Sequence, residues 1–275
     1  MTGRLGVSGE VIAAARSQGR AALIGYLPVG YPDVPGSIRA MRALCEGGEG
    51  PGVDLVEIGM PYSDPLMDGL AIQHATTRAL QRGVHTRDLF SAVEAVAEAG
   101  RTPMVMIYWN LVEHYGVDRF AGDLASAGGA GLITPDLTPD EAAAWIEASD
   151  SHGLDRVFLV APSSTDERLA ATVAACRGWV YATSVMGVTG ARQTTSAAAP
   201  VLVRRVRAAD PTLPVGVGLG VSNGEQAAEI AGFADAVIVG SALVNHLIQA
   251  ERAGTDDLTA LRNTVDDLAR GVRTR

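Results

Sequence analysis

Eight short apolar runs recur along the chain, and between them lie stretches with the period of an amphipathic helix. The runs are Ala22–Tyr26, Asp54–Ile58, Pro103–Tyr108, Gly131–Thr134, Arg156–Val160, Trp179–Thr183, Pro214–Val217 and Asp235–Val239. They are β-branched and almost continuously apolar, the signature of strands covered on both faces, as in a parallel sheet. The helical stretches include Val34–Glu46, Thr86–Glu98, Asp118–Ser126, Pro139–Ala148, Thr165–Ala175, Ala197–Ala208 and Gly224–Ala231. An eightfold strand–helix alternation predicts an α/β fold: a single (β/α)₈ TIM barrel occupying residues 1–275 as one domain. A doubly wound open sheet is the rival. Against it, the first run ends in Gly25-Tyr26-Leu27-Pro28 with no GxGxxG. Val11–Ser17, with Ser8 as its N-cap, predicts an extra N-terminal helix at the bottom of the barrel.

The chain has no lysine; all its basic residues besides five histidines are arginine. A Schiff-base aldolase or a pyridoxal-phosphate enzyme needs a lysine amine, so this chain alone is neither. The five histidines are scattered, without paired-ligand spacing or HExxH, so no metal site is expected. Chemistry by acid–base groups remains. Cys45 and Cys176 stand alone and read as buried thiols. A net charge of −9 argues against nucleic acid or an anionic membrane as partner. Arg4, Glu10 and Arg16 interrupt any signal-peptide core and no run has membrane-spanning length, so a cytoplasmic location is expected.

Barrel active sites lie at the C-terminal ends of the strands, and two features fall there. Glycine-rich stretches follow the last three strands: Gly187-Val188-Thr189-Gly190, Gly218-Leu219-Gly220-Val221-Ser222, and Gly240-Ser241 opening a helix. Any barrel needs glycines in tight turns, but three such stretches together predict a phosphate cradle of backbone N–H groups. Arg192 is either an added charge or a solvated loop residue. The second feature is Glu57, near the end of an otherwise apolar strand, with Asp68 after a Gly, Pro and Asp loop. A carboxyl in an apolar barrel mouth is raised in pKa and suits proton donation. Asp68 either caps the next helix or points back into the mouth.

The run Glu57-Ile-Gly-Met-Pro-Tyr-Ser-Asp-Pro-Leu-Met-Asp-Gly-Leu-Ala-Ile-Gln73 resembles the signature of the tryptophan synthase α-subunit family, E-(L/I)-G-x-P-(F/Y)-S-D-P-x-x-D-G-P-x-I-Q. Further matches follow in family order: Tyr108-Trp-Asn110, Pro135-Asp-Leu137, Tyr181 with Ser184, and the three glycine stretches, ending at Gly240-Ser-Ala242. Leu70 stands where the family usually has Pro, Leu219 where it has Phe, Thr138 where Pro often occurs, and Met186 where a small polar residue is usual. None of these removes a catalytic group. The resemblance implies a carbon–carbon lyase that splits indole-3-glycerol phosphate into indole and glyceraldehyde 3-phosphate. Glu57, Asp68 and Tyr181 would be its catalytic residues. Gly190, Gly220, Gly240 and Ser241 would hold the phosphate, and Tyr26, Met106, Ile133 and Leu159 the indole.

The resemblance also implies a partner, the tryptophan synthase β subunit, in an αββα heterotetramer. The loops around Pro61–Asp64 and Tyr108–Asn110 would contact it. Pyridoxal phosphate belongs to that subunit, and no cofactor is expected here. Pairing would raise α activity through the loops around Asp68 and Gly187. Three rivals stand beside this reading: a stand-alone lyase that releases indole, a non-catalytic activating subunit, and another phosphate-binding barrel such as an epimerase or a thiamin-phosphate synthase. Retention of Glu57, Asp68 and the glycine stretches opposes the second, and the long motif opposes the third.

Overall fold

Strand β1 (Ala22–Pro28) is buried along its whole length, as its uninterrupted apolar run requires. It lies between β2 (Leu55–Gly59) and a strand from the far end of the chain, Ala236–Val239. The computed structural model describes residues 3–65, 68–183, 198–218 and 220–274. The remaining strands in chain order are β3 (Thr102–Met106), β4 (Gly131–Ile133), β5 (Asp155–Val157), β6 (Leu159–Val160), β7 (Val180–Thr183), β8 (Val215–Gly218) and β9 (Ala236–Val239). Every pairing between them is parallel, in the order β5-β4-β3-β2-β1-β9-β8-β7-β6.

β5 and β6 are two halves of the run Arg156–Val160, separated only by Phe158. The first half pairs with β4 and the second with β7, and the Tyr181 N–H donates to the Phe158 carbonyl at 3.1 Å. The two ends of the strand order are therefore one strand. The sheet closes on itself, an eight-stranded (β/α)₈ barrel.

Helices follow the strands: α1 (Gly6–Ser17) precedes β1, and α2 (Val34–Glu46) follows it. After β2 come α3 (Leu70–Gln81) and α4 (Thr86–Glu98), and after β3 come α5 (Trp109–Tyr115) and α6 (Val117–Ser126). The second half of the chain carries α7 (Ala143–His152), α8 (Asp166–Ala175), α9 (Ala198–Ala209), α10 (Gly224–Ala231), α11 (Ser241–Ala253) and α12 (Thr259–Gly271). No helix among the described residues is long and apolar enough to cross a membrane.

Alternation along each strand divides the apolar residues into two layers. Outward positions such as Leu23, Val56, Val105 and Val237 pack under the helices. Inward positions, among them Ile24, Leu55, Met104, Ile133, Val157, Trp179 and Ile238, fill the barrel. The N-terminal helix plugs the floor with Ile12 and Ala15, which join that inner cluster.

The helix starts earlier than its apolar period suggests, and Ser8 is not its cap. Leu5 is the N-cap, and Ser8 lies fully buried in the first turn. Its N–H and hydroxyl both donate to Asp155 Oδ2, at 2.7 and 2.6 Å. A buried carboxylate at the start of β5 recruits this serine, a stronger demand than capping an exposed end. Two further boundaries differ. β3 stops at Met106, because Tyr108 is the N-cap of α5, and Pro139–Ala148 divides into a 3₁₀ turn (Pro139–Glu141) and α7.

Candidate active site

The register across β1, β2 and β3 puts Tyr26, Glu57 and Met104 at one level, on the inward face. Glu57 is the carboxylate among them, 1% exposed. Its Oε2 has no hydrogen-bond partner among the described residues. Burial, then the negative charge of Asp68, pushes its pKa up to about 8. A carboxyl in this setting keeps its proton at neutral pH.

Asp68 is half-buried just before α3. The helix N-cap is Gly69, and what Asp68 gives the helix is its main-chain carbonyl, which accepts from Gln73 Nε2 at 2.7 Å. Asp68 follows the C-terminal end of β2, at the mouth, where its charge acts on Glu57 and on Tyr26. Burial pushes its pKa up to about 6. Around pH 7, then, Glu57 is predominantly protonated and Asp68 predominantly ionised. Leu70, at the first position of α3, is 84% exposed, so the absence of proline there leaves the helix start intact.

Tyr181 stands across the barrel on β7, with Leu159 and Gly216 as register neighbours. Glu57 is the charge that acts on its hydroxyl. Met106, Leu159 and Tyr181 face inward yet are only partly buried, and they pack against the inner cluster to which the fully buried Ile133 belongs. Inward-facing groups reached by solvent line a cavity, so these residues form an apolar wall at the mouth. Tyr26 forms the facing wall, its ring 3.3 Å from where a Cβ on Gly240 would stand.

On the β8–β9 side, the N-terminus of α11 is formed by Gly240 as N-cap and Ser241 as first residue, with no side-chain cap. The N-terminus of α10 contrasts with it. There the Asn223 side chain accepts from the Gln226 N–H, and the Gly224 N–H donates to Asp267 at 2.6 Å. Ser222 is likewise engaged, bonded to the Gln226 side chain. Among the described residues on this side, the donors at the start of α11 are open to an anion, and the preceding loop carries Gly220 in the left-handed region at φ 69°. Gly190, Arg192, Met186 and Leu219 lie outside the described residues.

The packing roles of two glycines in this site escape a reading of the sequence alone. A Cβ on Gly59 would stand 2.2 Å from the Tyr26 hydroxyl, and one on Gly218 2.4 Å from the Tyr181 hydroxyl. Each tyrosine lies across the neighbouring strand because that strand has no side chain there. Glycine inside a strand is the available signal, since it marks a close approach.

Fold and site together define a β/α-barrel protein with two carboxyls, Glu57 and Asp68, at an apolar barrel mouth, and, two strands from Glu57, a helix N-terminus without a side-chain cap. The family model for the tryptophan synthase alpha chain matches residues 12–273. The chain belongs to that family. It is 61% identical over 267 residues to the tryptophan synthase alpha chain of Mycobacterium avium, covering 97% of this chain and 94% of the relative. The corresponding protein of Acidothermus cellulolyticus is 58% identical over 265 residues, covering 96% of each. Among solved structures, tryptophan synthase of Mycobacterium tuberculosis superposes with a TM-score of 0.90 at 58% identity, covering 98% of both chains. The alpha subunit from Legionella pneumophila reaches 0.84 at 28% identity, covering 100% of both.

Proposed function

We propose that the chain is the α subunit of a tryptophan synthase and cleaves indole-3-glycerol phosphate to indole and glyceraldehyde 3-phosphate. The observation that carries this reading is the pair of carboxyls at the barrel mouth, Glu57 buried on β2 and Asp68 half-buried before α3, which burial raises to about 8 and about 6. Pairs whose environments push their pKa values apart divide the roles of acid and base.

Indole leaves poorly as a carbanion, so the ring is first protonated at C3. Glu57 gives that proton. The positive charge that develops on the ring nitrogen is held by ionised Asp68 through the indole N–H. Glu57, now a carboxylate, takes the proton of the glycerol hydroxyl beside the scissile bond. The hydroxyl carbon becomes the aldehyde, and the bonding pair returns to the ring as indole. Glu57 ends protonated, ready for the next turnover. Tyr181, whose hydroxyl feels Glu57, positions it.

Gly220, Gly240 and Ser241, with Gly190, hold the phosphate; Met106, Ile133, Leu159 and Tyr26 hold the ring. The chain works as one barrel domain without a cofactor of its own. Pyridoxal phosphate, which needs a lysine, belongs to the β subunit of an αββα assembly. Support for that partner comes from the family and from relatives solved as tryptophan synthase.

Indole release from indole-3-glycerol phosphate by the purified chain tests the reading. Slow but measurable turnover is expected, lowered roughly 10²–10⁴-fold in Glu57→Gln with substrate binding retained. Turnover unchanged in that variant would remove Glu57 from the mechanism. No turnover in the unsubstituted chain, alone or with β subunit, would remove the substrate assignment.

A further inference from the structure

Tyr26 faces both carboxyls. Its register partner on β2 is Glu57, one strand away at the same level. Its ring runs from Gly240 on one flank to Gly59 on the other, and the hydroxyl ends over Gly59, one inward position closer to the mouth than Glu57. Asp68 follows from that end of β2. The groups that act on the hydroxyl are Asp68 first, then Glu57, then the phenols of Tyr108 and Tyr181. Tyr181, by contrast, is acted on by Glu57 and not by Asp68. A phenol hydroxyl at the barrel mouth is a hydrogen-bond donor, and carboxyls are the strongest acceptors facing this one.

We propose that the hydroxyl of Tyr26, lodged over Gly59 at the mouth, is a positioning group for the acid pair, donating its hydrogen to whichever carboxyl carries the charge. This rests on the acid–base reading above and adds a group to it. Burial and the two carboxyls hold the phenol well above its ordinary pKa, so it remains a neutral donor over the whole working range. It donates toward Asp68 while Glu57 holds its proton. When Glu57 has protonated the ring and become a carboxylate, the same hydroxyl is available to it. Tyr26 neither gains nor loses a proton overall.

Tyr26→Phe removes the oxygen and keeps the ring against Gly240 and Gly59, so the fold is retained. Donation to an ionised carboxyl favours its charged form, so losing the donor raises both pKa values. The pH profile of kcat/KM is expected to fall on the acid side as Asp68 protonates and on the alkaline side as Glu57 ionises. In Tyr26→Phe both limbs move to higher pH, and kcat falls roughly tenfold with KM little changed. A ring that served only for packing would leave the limbs in place.

A second readout needs no substrate. The infrared band of the protonated Glu57 carboxyl, assigned by its loss in Glu57→Gln, is followed against pH in the parent chain and in Tyr26→Phe. A midpoint displaced upward in the variant supports the proposal. An unmoved midpoint overturns it, even where both proteins cleave indole-3-glycerol phosphate. A displaced midpoint in a chain without lyase activity would keep the positioning role and remove the substrate instead.

Discussion

A carboxyl on the second strand of an apolar barrel costs stability wherever it must ionise. Glu57 has its folded pKa raised from an ordinary 4.5 to about 8. The folded protein therefore holds a proton between these values that the unfolded chain has released, and stability falls as pH rises across that window. Below about pH 4.5 both states are protonated and the penalty is absent. Glu57→Gln removes the ionisation and keeps the shape. It is expected to leave Tm nearly unchanged at pH 4.5 and to raise it by several degrees at pH 8, while activity is lost. Thermal denaturation of both proteins across pH 4.5–8 checks this; a gain independent of pH would contradict the raised pKa. This residue was legible in the sequence because a single charge interrupts an apolar strand. The packing roles of Gly59 and Gly218 were not. A glycine's function here is the space it leaves for a tyrosine on another strand, and that appears only once the strand register is known.

The strands were the readable elements, since burial on both faces leaves an unbroken apolar run that no other element of this length shows. Their count, and the helices between them, follow from the same pattern. α5 and α12 do not, because the eightfold repeat does not call for them. α12 buries Leu261, Val265, Leu268 and Ala269 on one face, against α10, α2 and α11. α1 was foreseen, but not what fixes it. Asp155, fully buried at the start of β5, accepts two hydrogen bonds from Ser8, and Arg177 Nε lies 3.7 Å from its other oxygen. Gly6, at φ 52°, gives the chain its turn there; a Cβ on it would meet the Asp155 carboxyl. Asp155→Ala leaves the Ser8 donors buried and removes a counter-charge of Arg177. It is expected to destabilise the protein by about 2–4 kcal/mol. Urea denaturation would show a lower midpoint with the same slope. A change under about 0.5 kcal/mol would mean that apolar contacts of Ile12 and Ala15 alone hold the helix on the floor.

On the scale of the whole molecule, the barrel gathers its functional loops on one face, so the chemistry and the proposed β-subunit contacts share that face. Tyr62 and Tyr108 stack there with centroids 4.3 Å apart, tying the loop after β2 to the loop after β3. The Asp136 carboxylate, after β4, accepts from the Trp109 N–H at 2.9 and 3.1 Å and ties in the third. The loop that carries Tyr62 reaches Asp68 six residues later, and Tyr108 also acts on Tyr26. A partner that grips Tyr62 and Tyr108 therefore holds both ends of the acid pair's surroundings. If only part of the free population has Asp68 set for the indole N–H, a partner favouring that arrangement raises kcat by population shift alone. Addition of β subunit is expected to raise α turnover by a factor on the order of ten, within the usual range of coupling between sites. KM should move less, since the phosphate donors at Gly240 and Ser241 follow β9, away from the loops after β2, β3 and β4. Titrating β subunit against indole release measures both. A rate that saturates at the binding stoichiometry supports coupling through these loops, and a flat rate despite demonstrated binding would make the partner a receiver of indole and nothing more.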